Sequence, residues 1–169
     1  MATETPHGGI APSVVALGNF DGVHIGHRAI IDAARREAAA IGGRTLAWTF
    51  RGRTKSGNTP LLTTPEYKCR LLLEAGCDDV ICADFNEYRD YSPECFVREV
   101  LIEGLNCRVA ICGFNYRFGK SGAGNAALLS ALMEAHGGHA LMLPPVTVRL
   151  CGESADSGEC CEEIGRAHV

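Results

Sequence analysis

The chain has no apolar run longer than a handful of residues; Val14-Val15-Ala16-Leu17 is typical. A bilayer-spanning helix needs roughly 20, so a membrane protein is not expected. There is no block of Lys or Arg, and the balance of 16 basic against 20 acidic side chains leaves a net charge of −4. That argues against a protein that grips a nucleic-acid backbone. No C-x-x-C pair occurs among the nine cysteines, and only Cys160 and Cys161 are adjacent. An odd count without paired spacing fits poorly with a disulfide framework or a metal knuckle. Residues 1–12 have no basic stretch leading into an apolar one, so no secretory signal is read there. The expectation is a cytoplasmic protein using cysteine as a small core residue, with residues 1–12 as a flexible tail.

What is present points to one α/β domain. A chain of 169 residues suits a single core, and 46% apolar with 21% charged is ordinary globular usage. Val14–Leu17 reads as a strand buried on both faces. Ile30, Ala34, Ala38 and Ile41 follow at helical spacing, with Gly42-Gly43 as the stop. Strands are expected over Thr45–Phe50, Asp79–Ala83, Arg108–Cys112 and Ala140–Leu143. Helices are expected from Thr63–Glu66 to Gly76, from Ser92-Pro93 onward, and over Ala126–Ala135. This alternation predicts a Rossmann-like, doubly wound, mainly parallel five-stranded sheet over residues 13–145. Ligands of such sheets bind beyond the carboxyl ends of the strands. Glycine, at 20 residues, is about 12% of the chain against a usual 7% or so. Seven of these glycines fall in two loops at that edge, Gly18–Gly26 and Gly113–Gly124.

The first loop, Gly18-Asn19-Phe20-Asp21-Gly22-Val23-His24-Ile25-Gly26-His27, holds no lysine. It is therefore not a G-x-x-x-x-G-K-[ST] phosphate loop, and it is not G-x-G-x-x-G. It places His24 and His27 at a helix start, where backbone N–H groups attract anions and imidazoles donate to phosphate oxygens. Capping or packing is the ordinary alternative for two such histidines. For Arg117 and Lys120 of the second loop the ordinary alternative is a solvated charge, and for Asp21 a turn cap. His136 and His139 read as surface residues.

The segment "LGNFDGVHIGH" resembles the signature of the HxGH nucleotidyltransferases, and more closely the FMN adenylyltransferase (FAD synthetase) domain of the bacterial bifunctional riboflavin kinase/FAD synthetase family. "LLTTPEYKCRLLLEAGCDDV" (61–80), "SPECFVREVL" (92–101) and "CGFNYRFGKSGAGN" (112–125) are similar to later parts of that domain, in the same order. The resemblance implies adenylyl transfer from ATP to FMN, giving FAD and pyrophosphate, with Mg²⁺ accompanying ATP and no assignable protein ligand for it. It implies His24 and His27 as catalytic contacts to the ATP phosphates, with the helix dipole from His27 onward assisting. Gly18, Asn19, Phe20, Asp21, Gly22 and Gly26 would shape the ATP pocket. Asn115, Arg117, Gly119, Lys120 and Asn125 would reach FMN or nucleotide. The partners implied are these small molecules, not nucleic acid or membrane; oligomeric state is left open.

Three departures from the family pattern stand out. Where the family has Pro-His-Pro after "TF", this chain reads Arg51-Gly52-Arg53-Thr54-Lys55-Ser56. Ser154-Ala155-Asp156-Ser157 stands where a Ser/Thr motif with Ile and Arg is expected, and lacks both. The riboflavin kinase domain is absent. Residues 146–169 read as an atypical tail. Its end, Glu163–Val169, is similar to the translation of a sequencing adapter, which implies a truncated reading frame. Two alternatives remain at this stage. One is another HxGH nucleotidyltransferase using pantetheine phosphate, nicotinamide mononucleotide or a polyol phosphate; the other is a non-catalytic nucleotide-binding fragment.

Overall fold

A computed structural model describes residues 11–52 and 60–146. The loop residues 53–59, the residues before 11 and the tail from 147 lie outside the described part. So do the expectations placed on Arg53–Ser56, Ser154–Ser157 and the adapter-like end.

Five strands form one sheet: β1 (Ser13–Leu17), β2 (Arg44–Phe50), β3 (Asp79–Ala83), β4 (Cys107–Gly113) and β7 (His139–Leu143), in the order β3-β2-β1-β4-β7. Every pairing in it is parallel. The chain order reverses between β1 and β4, which makes their carboxyl ends the switch point where such folds bind ligands. All five residues of β1 are buried, as a central parallel strand covered on both faces requires.

The alternation of strand side chains divides the core. Val14, Ala16, Ala47, Val109 and Ile111 face α1 (Ile25–Ile41) and α2 (Pro65–Glu74), packing on Ile30, Ile31, Ala34 and Leu72. Val15, Leu17, Trp48, Ala110 and Cys112 face the other way, against Phe96, Val97, Leu101, Leu129 and Met133. Those five belong to two helices. The first is α4 (Pro93–Cys95), which runs on as a π-helical segment Phe96–Gly104. The second is α5 (Ala126–Ala135). Helices thus cover both faces, and each large side chain buried this way contributes about 1.5–3 kcal/mol.

The helix signals act where the sequence places them. Thr64 accepts from the Tyr67 N–H with Pro65 at the first turn. Ser92 accepts from the Cys95 N–H with Pro93 following. Gly42, at φ 61°, ends α1 in the left-handed conformation that a side chain would strain.

Three features differ from the sequence-based expectation. Helix α1 begins at Ile25, two residues before His27, with His24 as its N-cap and no side-chain capping bond. A one-turn helix α3 (Phe85–Tyr88), capped by Asp84, follows β3. The second Gly-rich loop carries a two-stranded antiparallel ribbon, β5 (Arg117–Phe118) against β6 (Gly124–Asn125), around a 3₁₀ turn at Lys120–Gly122. A single turn and two-residue strands are too short to leave a periodicity.

Candidate functional site

A cavity of about 480 Å³ opens at the switch point, walled by the ends of β1 and β2, by α3 and by the β5–β6 ribbon. Aromatic residues are only 7% of the chain, eleven in all. Seven of them, Trp48, Phe50, Phe85, Tyr88, Phe96, Tyr116 and Phe118, line this one space. They brace one another edge to face. Trp48 meets Tyr88 at 5.1 Å and Phe96 at 5.6 Å, and Phe50 meets Phe85 at 5.3 Å. These ring contacts hold the wall in place from within. The Trp48 indole Nε1 is buried with no hydrogen-bond partner.

The ribbon closes one side of the cavity and is held by α4. Lys120 N–H donates to the Tyr91 carbonyl at 2.7 Å. Gly119 has φ 73°, and a Cβ there would sit 2.8 Å from Cδ of Pro93, so both the backbone and the close approach require glycine. Of the residues the resemblance assigns to FMN or nucleotide, Asn115, Arg117 and Gly119 line the cavity. Lys120 and Asn125 do not. The Lys120 ammonium pairs with Asp90 at 3.3 Å on the outer surface, and the Asn125 amide oxygen caps α5 by accepting from Leu128 N–H at 2.9 Å. A capping asparagine and a binding one look alike in sequence.

The loop from β1 to α1 carries the two histidines at the start of that helix. His24 and His27 stack with centroids 3.5 Å apart and planes 22° from parallel. His27 is buried, with its Nδ1 unpartnered and its ring edge on Phe20. Burial first, and the neighbouring His24 second, push the His27 imidazole down from its usual 6.5 to about 3. Burial thus favours the neutral imidazole. Neither histidine lines the aromatic cavity; Gly18 and Asn19, at the start of the same loop, do.

Phe20 is fully buried, so its ring serves the core beneath the loop and not the ligand space. Gly26 is likewise buried, inside the first turn of α1. Phe20 and Val23 adopt φ of 50° and 42°, left-handed conformations that cost about 1–3 kcal/mol each in non-glycine residues and persist only where packing holds them. Two sets of contacts do so. The Asp21 carboxylate accepts from Leu62 N–H, Thr63 N–H and the Thr63 hydroxyl at 2.9–3.0 Å, and Gly22 N–H donates to Thr63 Oγ1. Burial works against the ionised form of Asp21, but those hydrogen bonds and the charge of Lys68 outweigh it and lower its pKa. Asp21 is thus a clamp on the lead into α2. From beneath, Lys68 donates to the Asn19 carbonyl at 3.1 Å and the Phe50 carbonyl at 2.6 Å, and Thr49 Oγ1 donates to the same Asn19 carbonyl at 2.9 Å. Lys68 is only 4% exposed. Nothing in the sequence singles it out, because a lysine on an amphipathic helix ordinarily faces water.

Among the described residues no group of three or more His, Cys, Asp or Glu is placed to hold a metal ion. No helix among them is long and apolar enough to cross a membrane. Cys69, Cys77, Cys82, Cys95, Cys107 and Cys112 are free thiols, and burial pushes those of Cys77, Cys107 and Cys112 up to about 12. They are inert packing residues rather than nucleophiles.

A family model described as FAD synthetase matches residues 9–152. The bifunctional riboflavin kinase/FMN adenylyltransferase of Bacillus subtilis (strain 168) is 36% identical over 122 residues, covering 68% of this chain and 38% of that protein. The protein of the same name from Escherichia coli (strain K12) is 30% identical over 122 residues, covering 69% of this chain and 39% of its own length. The chain therefore spans about two fifths of the length of these two relatives. A crystal structure described as a macrolide-efflux protein from Streptococcus pneumoniae superposes with a TM-score of 0.68 at 25% identity, over 85% of this chain and 47% of that one. With the family match covering most of its length, and with the site at the switch point of a parallel sheet, this chain belongs to the FAD synthetase family.

Proposed function

We propose that this domain transfers the adenylyl group of ATP to FMN, giving FAD and pyrophosphate. The observation that carries this reading is the aromatic cavity lined by Gly18 and Asn19, the first residues of the loop that leads to a helix start bearing two stacked histidines. A flavin ring is flat, apolar on its faces and polar at its edges, and the seven aromatic walls suit it. Its phosphate then points along the strand ends toward the amino end of α1.

In the reaction an oxygen of the FMN phosphate attacks the α-phosphorus of ATP. The bond from that phosphorus to the β-bridging oxygen breaks, and pyrophosphate leaves with the electron pair. Little proton chemistry is needed, because the FMN phosphate is already an anion. The protein's task is to align two phosphates and offset the charge on them. The free N–H groups of the first turn of α1 and the neutral imidazole of His27 donate to the phosphate oxygens, with His24 beside them. Arg117, exposed at the cavity mouth, supplies a positive charge on the flavin side. ATP is taken as its magnesium complex. The carboxylate of this loop, Asp21, is committed to residues 62 and 63, so a magnesium ion arriving with ATP would be held chiefly by phosphate oxygens and water. A cytoplasmic site of action, where both substrates are made, is part of the same proposal.

The test is FAD formation from FMN and MgATP followed by chromatography, with His27→Ala beside the wild type. Removing one preorganised donor to the transferring group is expected to cost about a hundredfold or more in kcat. Trp48 is the only tryptophan, so FMN binding is also expected to quench the protein's indole emission. Wild-type chain that binds MgATP but forms no FAD would refute the reading.

A further inference from the structure

Lys68 is a buried ammonium that the adenylyl-transfer scheme above does not use, and its burial demands an explanation. A lysine removed from water loses hydration that only good partners replace. Its two hydrogen-bond partners are backbone carbonyls from two different elements, Asn19 in the loop after β1 and Phe50 at the end of β2. Both residues line the cavity. The Asn19 carbonyl also takes the Thr49 hydroxyl, so two buried donors from below converge on one oxygen of the loop. The Asp21 clamp ties the same loop to the residues just ahead of α2, the helix that carries Lys68. Helix α2 thus holds the loop at both ends of a three-residue stretch. Between its two anchors the chain must accept the strained backbone of Phe20.

We infer that Lys68 is a positioning residue for the transfer reaction: by fixing the Asn19 and Phe50 carbonyls it sets the distance between the flavin cavity and the phosphate-binding start of α1. The inference rests on the proposed adenylyl transfer, and deepens it. The ammonium touches neither substrate. Its effect is on alignment, and alignment appears in kcat rather than in the affinity for each substrate alone.

The test compares wild type, Lys68→Met, Thr49→Val and the double variant, measuring kcat and KM for both substrates and hydrogen exchange across residues 18–24. Loss of alignment is expected to lower kcat in Lys68→Met by about a hundredfold, with both KM values within about threefold. Thr49→Val is expected to lose less, about threefold to tenfold, and the double variant to resemble Lys68→Met, since both donors act through one carbonyl. Exchange across 18–24 is expected to quicken in Lys68→Met while the rest of the sheet stays protected. Unchanged kcat in a folded Lys68→Met overturns the inference. If that variant does not fold, Thr49→Val decides, and an unchanged kcat there overturns it equally. Wild type that makes no FAD refutes the adenylyl-transfer reading instead; hydrogen exchange then decides the role of Lys68, and unaltered exchange in Lys68→Met, or in Thr49→Val if Lys68→Met does not fold, counts against it.

Discussion

Replacing Asp21 with alanine removes the acceptor for three donors at once. The Leu62 N–H, the Thr63 N–H and the Thr63 hydroxyl all point at this carboxylate at 2.9–3.0 Å. Hydrogen bonds to a charged group are worth about 1.5–3 kcal/mol each when buried. Asp21 is only partly buried and water reaches the vacated donors, so the sum is well below three such bonds; about 2 kcal/mol is expected. For a domain of this size that corresponds to a fall in Tm of roughly 6 °C near pH 7. The pH dependence carries the sign. The folded carboxyl titrates below its ordinary 3.8, so the ionised form stabilises the fold above the unfolded value. That contribution is lost as pH falls through the folded value. The gap between wild type and Asp21→Ala in urea unfolding should therefore narrow as pH falls below 3.8. Equal melting at neutral pH would refute the clamp. A gap that stays constant into acid would refute the part assigned to the charge.

Two further outcomes follow from the same geometry. Gly119→Ala forces a Cβ to within 2.8 Å of Pro93 at φ 73°, so it is expected to destabilise by about 1–3 kcal/mol and to weaken FMN binding, both read by flavin-monitored thermal unfolding. His27 titrates near 3 in the fold against 6.5 ordinarily, so the unfolded chain takes the proton more readily. Stability from this residue is complete above 6.5 and is lost as pH falls toward 3; in His27→Gln that slope of urea stability against pH is expected to disappear.

The sheet, its helices and the two loops are legible in the amino-acid sequence because each rests on local physics. A fully apolar run such as Val14–Leu17 has to be covered on both faces. Thr64-Pro65 and Ser92-Pro93 start helices through their own side chains and rings. The sequence also brings Gly18, Asn19, Asn115, Arg117 and Gly119 to one edge, since parallel topology sends every strand end there. The cavity is less legible. Phe85 and Tyr88 belong to a single turn, and nothing along the chain says that Trp48 and Phe96, 48 residues apart, share a wall.

What the sequence determined by itself, then, is the class of fold and the loop that carries His24, Gly26 and His27 to a helix start at the sheet's carboxyl edge. Tertiary structure alone decided which polar residues line the cavity and which hold the frame. Asp21 reaches 41 and 42 residues along the chain to its partners, Lys68 reaches 49 residues back to Asn19, and Asn125 turns its amide to α5 rather than to the site. A carboxylate, an ammonium and an amide look the same in sequence whether they bind a substrate or a backbone. Only the placement of the opposing donor or acceptor, set by packing between distant segments, separates the two.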